Sequence, residues 1–240
     1  MKKKYFALLA VGLFSTSLLA PLSVFAADDS AATNPTPATP ATPTPSKTTG
    51  DVTFNKPDDN VKPVDPTDPS KPGTDPDNPG TGQTGPLTLD AAPKLSFGTH
   101  DIASGSQTYN AVTPKTPFVQ ASDRRGLGTD GQAQGWNVTV AMSDFTNASS
   151  QTLPGASLAF ASASVKGATT TQGTAPTSLD VASLSSASGA TPLLKADKGQ
   201  GAGTWVSVYD PNNIKLTVPQ AAAGNFTSTL SWTINASPVQ

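Results

Sequence analysis

Catalysis needs nucleophiles, bases or ligands at workable spacing, and this chain offers few. His100 is the single histidine in 240 residues, cysteine is absent, and all 17 acidic residues are aspartates. A Ser-His-Asp arrangement is formally available, with Asp101 beside His100 and serines abundant. Neighbours on a strand point to opposite faces, however, so these two side chains would diverge. Metal-ligand spacing is equally thin: the chain has no His pair, no Cys pair and no EF-hand loop. "DPDNPG" at 75–80 opens like a calcium loop, but its prolines and the missing glutamate count against it. No catalytic residue, metal or cofactor is expected.

Binding chemistry is better represented. The only two arginines, Arg124 and Arg125, follow Asp123 and lead into a run holding Gly126, Gly128, Gly131 and Gly135. A planar guanidinium could tie this loop to Asp123 or to backbone carbonyls, with donors that lysine would not place as well. Alternatively, Arg125 pairs with a carboxylate of a peptide stem or partner protein, and the glycines let the backbone approach closely. The three tryptophans pose the same choice, because aromatic rings stack on sugar faces but also fill cores. Trp136 shares a strand face with Val138, and Trp232 shares one with Ile234, which is how core residues look. Trp205 follows "GQGAGT", nearer a strand end, and is a candidate surface contact.

The elements that must position these residues read as strands. "LTL", "LSF", "WNVTV", "SLAF", "WVSVY", "IKLTV" and "LSWTI" each set apolar residues two apart, the period of a half-buried strand. "VSVYDPNNIKLTVP" predicts a hairpin turning at Asp-Pro-Asn-Asn. From Thr146 to Lys198 the chain is rich in Ser, Ala, Thr and Gly, and only "SLAFASASV" reads clearly as a strand. The absence of glutamate, with 23 prolines and 20 glycines, argues against helices. The expected fold is all-β, an antiparallel sandwich or barrel-like domain over residues 87–240.

Two segments precede it. Residues 1–26 have a lysine-headed start, an apolar run and small residues before Ala27, the pattern of a cleaved signal peptide. No later stretch has the roughly 18 or more apolar residues of a membrane span, so no insertion is expected after cleavage. Residues 27–86 carry proline every few positions and little apolar surface, which predicts a disordered Pro/Thr/Asp-rich spacer. This segment holds nine Asp and four Lys, whereas 87–240 balances eight Asp against six Lys and two Arg. A folded part of zero net charge is not built for nucleic acid. With no cysteine for lipid attachment and no apolar tail or sorting motif after "SWTINASPVQ", surface retention would have to be non-covalent.

"GWNVTV" and "LSWTINASP", with "SDRRG" before the first and "VPQAAAGNFTSTLSWTI" leading into the second, closely resemble the WxL domain family of Gram-positive surface proteins. "LSFG" and "GQGAGTW" are in keeping, and the resemblance covers roughly residues 87–240. Asp123, Arg125 and Gly126 match that family's Asp-x-Arg-Gly pattern. Val138 and Ile234 stand where the family has leucine, keeping an apolar β-branched side chain on the tryptophan's face. The resemblance implies a secreted protein at the cell surface, attached non-covalently to the cell wall, with peptidoglycan as the target class. It also implies association with partner proteins, such as a membrane-anchored surface protein or host matrix in adhesion. Residue chemistry and the resemblance together give the ligand-contact candidates Asp123, Arg125, Gly126, Trp136, Val138, Trp205, Trp232 and Ile234.

Overall fold

A computed structural model describes residues 45–168 and 173–237. The expected signal peptide and residues 27–44 of the expected spacer lie outside the described residues. The chain divides into Met1–Asp51, of which residues 45–51 are exposed and without regular structure, and a compact unit, Val52–Gln240.

Alternation puts strands at β1 (Leu87–Ala91), β2 (Gln107–Asn110), β3 (Phe118–Asp123), β4 (Trp136–Met142), β5 (Ser157–Phe160) and β6 (Ser164–Gly167). They are followed by β7 (Thr177–Ser178), β8 (Val181–Leu184), β9 (Thr191–Ala196), β10 (Gly203–Val208), β11 (Ile214–Val218) and β12 (Leu230–Asn235). These form three antiparallel sheets, ordered β1-β3-β10-β6, β2-β11-β5-β8 and β12-β4-β9-β7. The all-β expectation therefore holds, as open packed sheets of the sandwich type rather than a closed barrel.

Two local readings are corrected. The segment around Asp210 is not a hairpin, because β10 lies between β3 and β6 while β11 lies between β2 and β5. Both strands have both edges occupied, so neither can pair with the other. Asp210 instead caps a 3-10 turn, Pro211–Asn213, its carboxylate accepting from the Asn212 amide at 2.8 Å, and the chain crosses between sheets. "SLAFASASV" likewise splits: Ser162 adopts φ 54°, and the strands on either side of it join different sheets. "LSF" makes only an isolated bridge, Ser96 to Thr113.

One main core lies between the sheets. Its largest wholly buried side chain is Trp136, packed with Val138, Val140, Leu158, Phe160, Leu184, Leu193, Leu194 and Ile214. The Trp136 Nε1–H donates to the Gly201 carbonyl at 3.0 Å, giving the buried indole its partner. Gly201 permits this approach: a Cβ there would lie 2.5 Å from Trp136 Nε1 and 2.5 Å from the Ala196 Cβ. Its φ of 74° also belongs to the left-handed region that glycine tolerates.

Residues 59–85, expected to be spacer, run across the outer face of the β1-β3-β10-β6 sheet. Val64 covers a second small apolar cluster of Ala91, Phe118 and Val206. The Val64 amide donates to Gln120 Oε1 at 2.8 Å, and Gln120 Nε2 donates back to the Lys62 carbonyl at 3.0 Å. "DPDNPG" belongs to this strap. Its buried Asn78 donates to the Thr116 carbonyl at 3.1 Å and accepts from the Phe118 amide at 3.2 Å. Prolines deny these residues a ladder of their own, but aspartate and asparagine side chains turn the chain and reach the sheet instead.

Beneath the strap lies Asp90, fully buried. It accepts from Ser122 Oγ at 2.5 Å, Thr88 Oγ1 at 2.6 Å and Gln120 Nε2 at 3.0 Å. Burial pushes this carboxyl above its ordinary range, opposed by the Ser122, Thr88 and Gln120 hydrogen bonds and the Arg124 charge.

Candidate functional site

The two tryptophan motifs are neighbours in space. β12 pairs with β4 so that Ile234 lies opposite Val138, Trp232 opposite Val140 and Asn235 opposite Asn137. The Asn235 side chain donates to Asn137 Oδ1 at 3.0 Å, and Asn137 in turn donates to the Ser237 carbonyl. Apolar residues at both third positions meet across one ladder, which explains why β-branched Val138 and Ile234 fit there.

Arg125 ties this pair of strands together. Its Nε and Nη2 grip Asp123 Oδ1 and Oδ2 at 2.9 and 2.8 Å, and Nη2 also reaches the Gly135 carbonyl at 2.6 Å, just before β4. Nη1 reaches the Ala236 carbonyl at 3.2 Å, just after β12. The side chains of Arg125 and Asp123 are only 9% and 3% exposed, so the fork is engaged from within. Gly126, exposed with φ 77°, turns the chain out of this node. Arg124 does a similar job for the strap, donating to Asp59 Oδ1 at 2.7 Å, to the Asp59 carbonyl at 2.8 Å and to the Gly85 carbonyl at 3.0 Å.

Most of the residues singled out as contacts are therefore inside. Trp136 and Val138 have no exposed surface, so they have no face to offer a ligand. Trp205 is buried in the main core, its Nε1–H donating to the Ala202 carbonyl at 2.9 Å. Ile234 is partly buried against the same core. Trp232 differs. It is partly exposed, its inner edge meets Phe160 (centroids 6.2 Å apart, planes at 83°), and it helps to line a large groove.

That groove has a volume of about 730 Å³. Its floor is core surface from Phe145, Leu153, Leu158, Leu216 and Val218. Tyr109 and Leu158 both lie opposite Leu216 in the β2-β11-β5 ladder, so these three side chains share one sheet face. It is also lined by the irregular stretch carrying Leu95, Phe97, His100 and Ile102, by Ala221 and Phe226 before β12, and by Leu230 and Trp232 on β12. His100 is not on a strand. Its Nε2 lies 2.6 Å from the Phe97 carbonyl, and its ring stacks on Tyr109 with centroids 4.0 Å apart and planes at 19°. The pair forms an aromatic shelf at the groove's edge, with Ile102 exposed beside it.

The volume of this groove and its largely apolar lining are those of a ligand cleft. Of the candidate ligand contacts, Trp232 lines it; His100 and Asp101 do so too, with Phe97 and Phe226 from within "LSFG" and "AAAGNFTSTLSW". Among the described residues, no group of three or more His, Asp or Glu side chains could hold a metal ion, and no helix is long and apolar enough to cross a membrane.

Comparison with known proteins returns one result. The model of the WxL domain, described as surface cell wall-binding, matches residues 28–238, taking in the strap as well as the strands. No curated protein and no solved structure matches. With that match spanning nearly the whole chain, and with both tryptophan motifs paired in one sheet, the chain belongs to the WxL domain family and is a cell-wall-binding protein of the cell surface.

Proposed function

We propose that this protein is exported and binds peptidoglycan non-covalently through the aromatic-lined groove between β2, β11 and the approach to β12. The observation that carries this reading is the groove itself: an apolar cleft edged by the stacked His100–Tyr109 pair and by Trp232. Stacking surfaces and an apolar floor suit a polymer with ring faces, and membership of a wall-binding family narrows the polymer to one of the wall. The Asp123–Arg125 node serves a different end. It holds β4 and β12 in register, which sets Trp232 at the groove.

The reading is one of binding: the groove's titratable side chains are Lys94, His100, Asp101 and Tyr109, set among apolar and aromatic residues. Residues 1–26 would direct export. The test is co-sedimentation of the full chain with washed, protein-stripped sacculi. Saturable binding that falls on Tyr109→Ala or His100→Ala, in variants with unchanged circular dichroism, supports the groove. Binding to intact envelopes but not to stripped sacculi would replace the polymer with a surface protein partner.

A further inference from the structure

The groove's charge and polar chemistry narrow its occupant further. Among its lining residues the only full charges of fixed sign are Lys94 and Asp101, which are opposite and offset each other. Both arginines are committed elsewhere, Arg125 to Asp123 and Arg124 to Asp59. A stem peptide bearing carboxylates, or a phosphate-rich wall polymer, would call for clustered cations or a free guanidinium fork. Neither is present among the groove's lining residues. What the groove offers beside its rings is a set of neutral polar groups, Ser96, Asn225 and Thr227; the Thr81 and Ser228 hydroxyls also line it but donate to the Leu89 and Ser143 carbonyls.

Resting on the reading that this groove is the wall-binding site, we infer that it takes the sugar backbone of the polymer, a neutral strand of N-acetylated aminosugars. Each part of such a strand has a counterpart. Ring faces lie on the His100–Tyr109 shelf and on Trp232, acetamido methyl groups meet the half-buried Leu95, Phe97 and Leu230 side chains, and hydroxyls meet the polar groups of Ser96, Asn225 and Thr227. The His100–Tyr109 pair and Trp232 give such a strand more than one aromatic surface to stack on. Its attraction is apolar and dipolar, so salt screens it little.

The experiment titrates the full chain with the β-1,4-linked tetramer of N-acetylglucosamine, following tryptophan fluorescence, and then uses the tetramer and a free stem peptide as competitors for sacculi. The tetramer should bind saturably and displace the chain, with an affinity that changes less than about twofold between about 0.05 and 0.5 M salt. Tyr109→Ala should weaken tetramer binding by roughly threefold to tenfold, and the exposed His100→Ala, whose removal leaves the core untouched, should weaken it in the same direction. Displacement by the stem peptide but not by the tetramer, with Tyr109→Ala still lowering sacculus binding, would overturn the sugar assignment and leave the groove as the wall site. If both variants bind sacculi as the wild type does, the groove assignment and the sugar assignment fall together.

Discussion

Replacing Arg125 by alanine separates a structural tie from a ligand contact. The side chain makes two bonds to Asp123, one to the Gly135 carbonyl and one to the Ala236 carbonyl, with both charged partners almost wholly buried. An exposed ion pair would contribute about 0–1 kcal/mol. Removing one partner of a buried pair costs about 3–5 kcal/mol, because the Asp123 charge is left without compensation. With a urea slope of about 2–3 kcal/mol/M, Arg125→Ala should lower the unfolding midpoint by roughly 1–2 M. Arg125→Lys keeps the charge but loses the fork, and should fall between wild type and alanine. Combining Asp123→Ala with Arg125→Ala should cost less than the sum of the two, since neither charge is then stranded. A folded Arg125→Ala protein within about 0.5 kcal/mol of wild type that had lost wall binding would refute the structural reading and make Arg125 a ligand contact.

Other perturbations probe the framework around the groove. Gly201→Ala forces a Cβ into the Trp136 indole at a positive φ, and should cost at least about 2 kcal/mol by urea unfolding followed through tryptophan emission. Asp90 titrates above its ordinary value in the folded state, so its contribution to stability is greatest below the unfolded value near 3.8 and is lost as pH rises through the folded value. Asp90→Asn should therefore remove a fall in stability on the alkaline side of that window, seen by comparing urea midpoints of the two proteins from acid to neutral pH. Deleting everything before Leu87 strips the strap from Phe118 and Val206 and leaves Arg124 without Asp59, whereas deletion to Val52 spares both. The shorter chain should unfold at lower urea and bind a hydrophobic dye that the longer one excludes.

Strands with one wet face announced themselves in the sequence: "WNVTV", "IKLTV" and "LSWTI" alternate and become β4, β11 and β12. β3 did not, for a physical reason. Its outward residues Phe118, Gln120 and Ser122 are buried under the strap, so all six of its residues are buried and the polar–apolar rhythm vanishes. β2, four residues at a sheet edge, has only Tyr109 to mark its inner face. The strap itself looked like a spacer because proline forbids ladders, yet its contacts run through side chains and single amides that periodicity does not register. The Asp-x-Arg node was legible as a structural alternative from residue types alone. The groove was not, since its rings come from positions 97, 100, 109, 145, 226 and 232 and meet only once the strand order is known.

The most direct test uses the three tryptophans as built-in reporters. Two indole N–H groups point into the protein, Trp136 to Gly201 and Trp205 to Ala202, and only the third tryptophan, Trp232, lines the groove. Titrating nitrogen-15-labelled protein with soluble peptidoglycan fragments should move the Trp232 indole resonance progressively and leave those of Trp136 and Trp205 in place. Saturable binding that shifts the other two and leaves Trp232 unmoved would place the wall contact elsewhere on the domain and contradict the account.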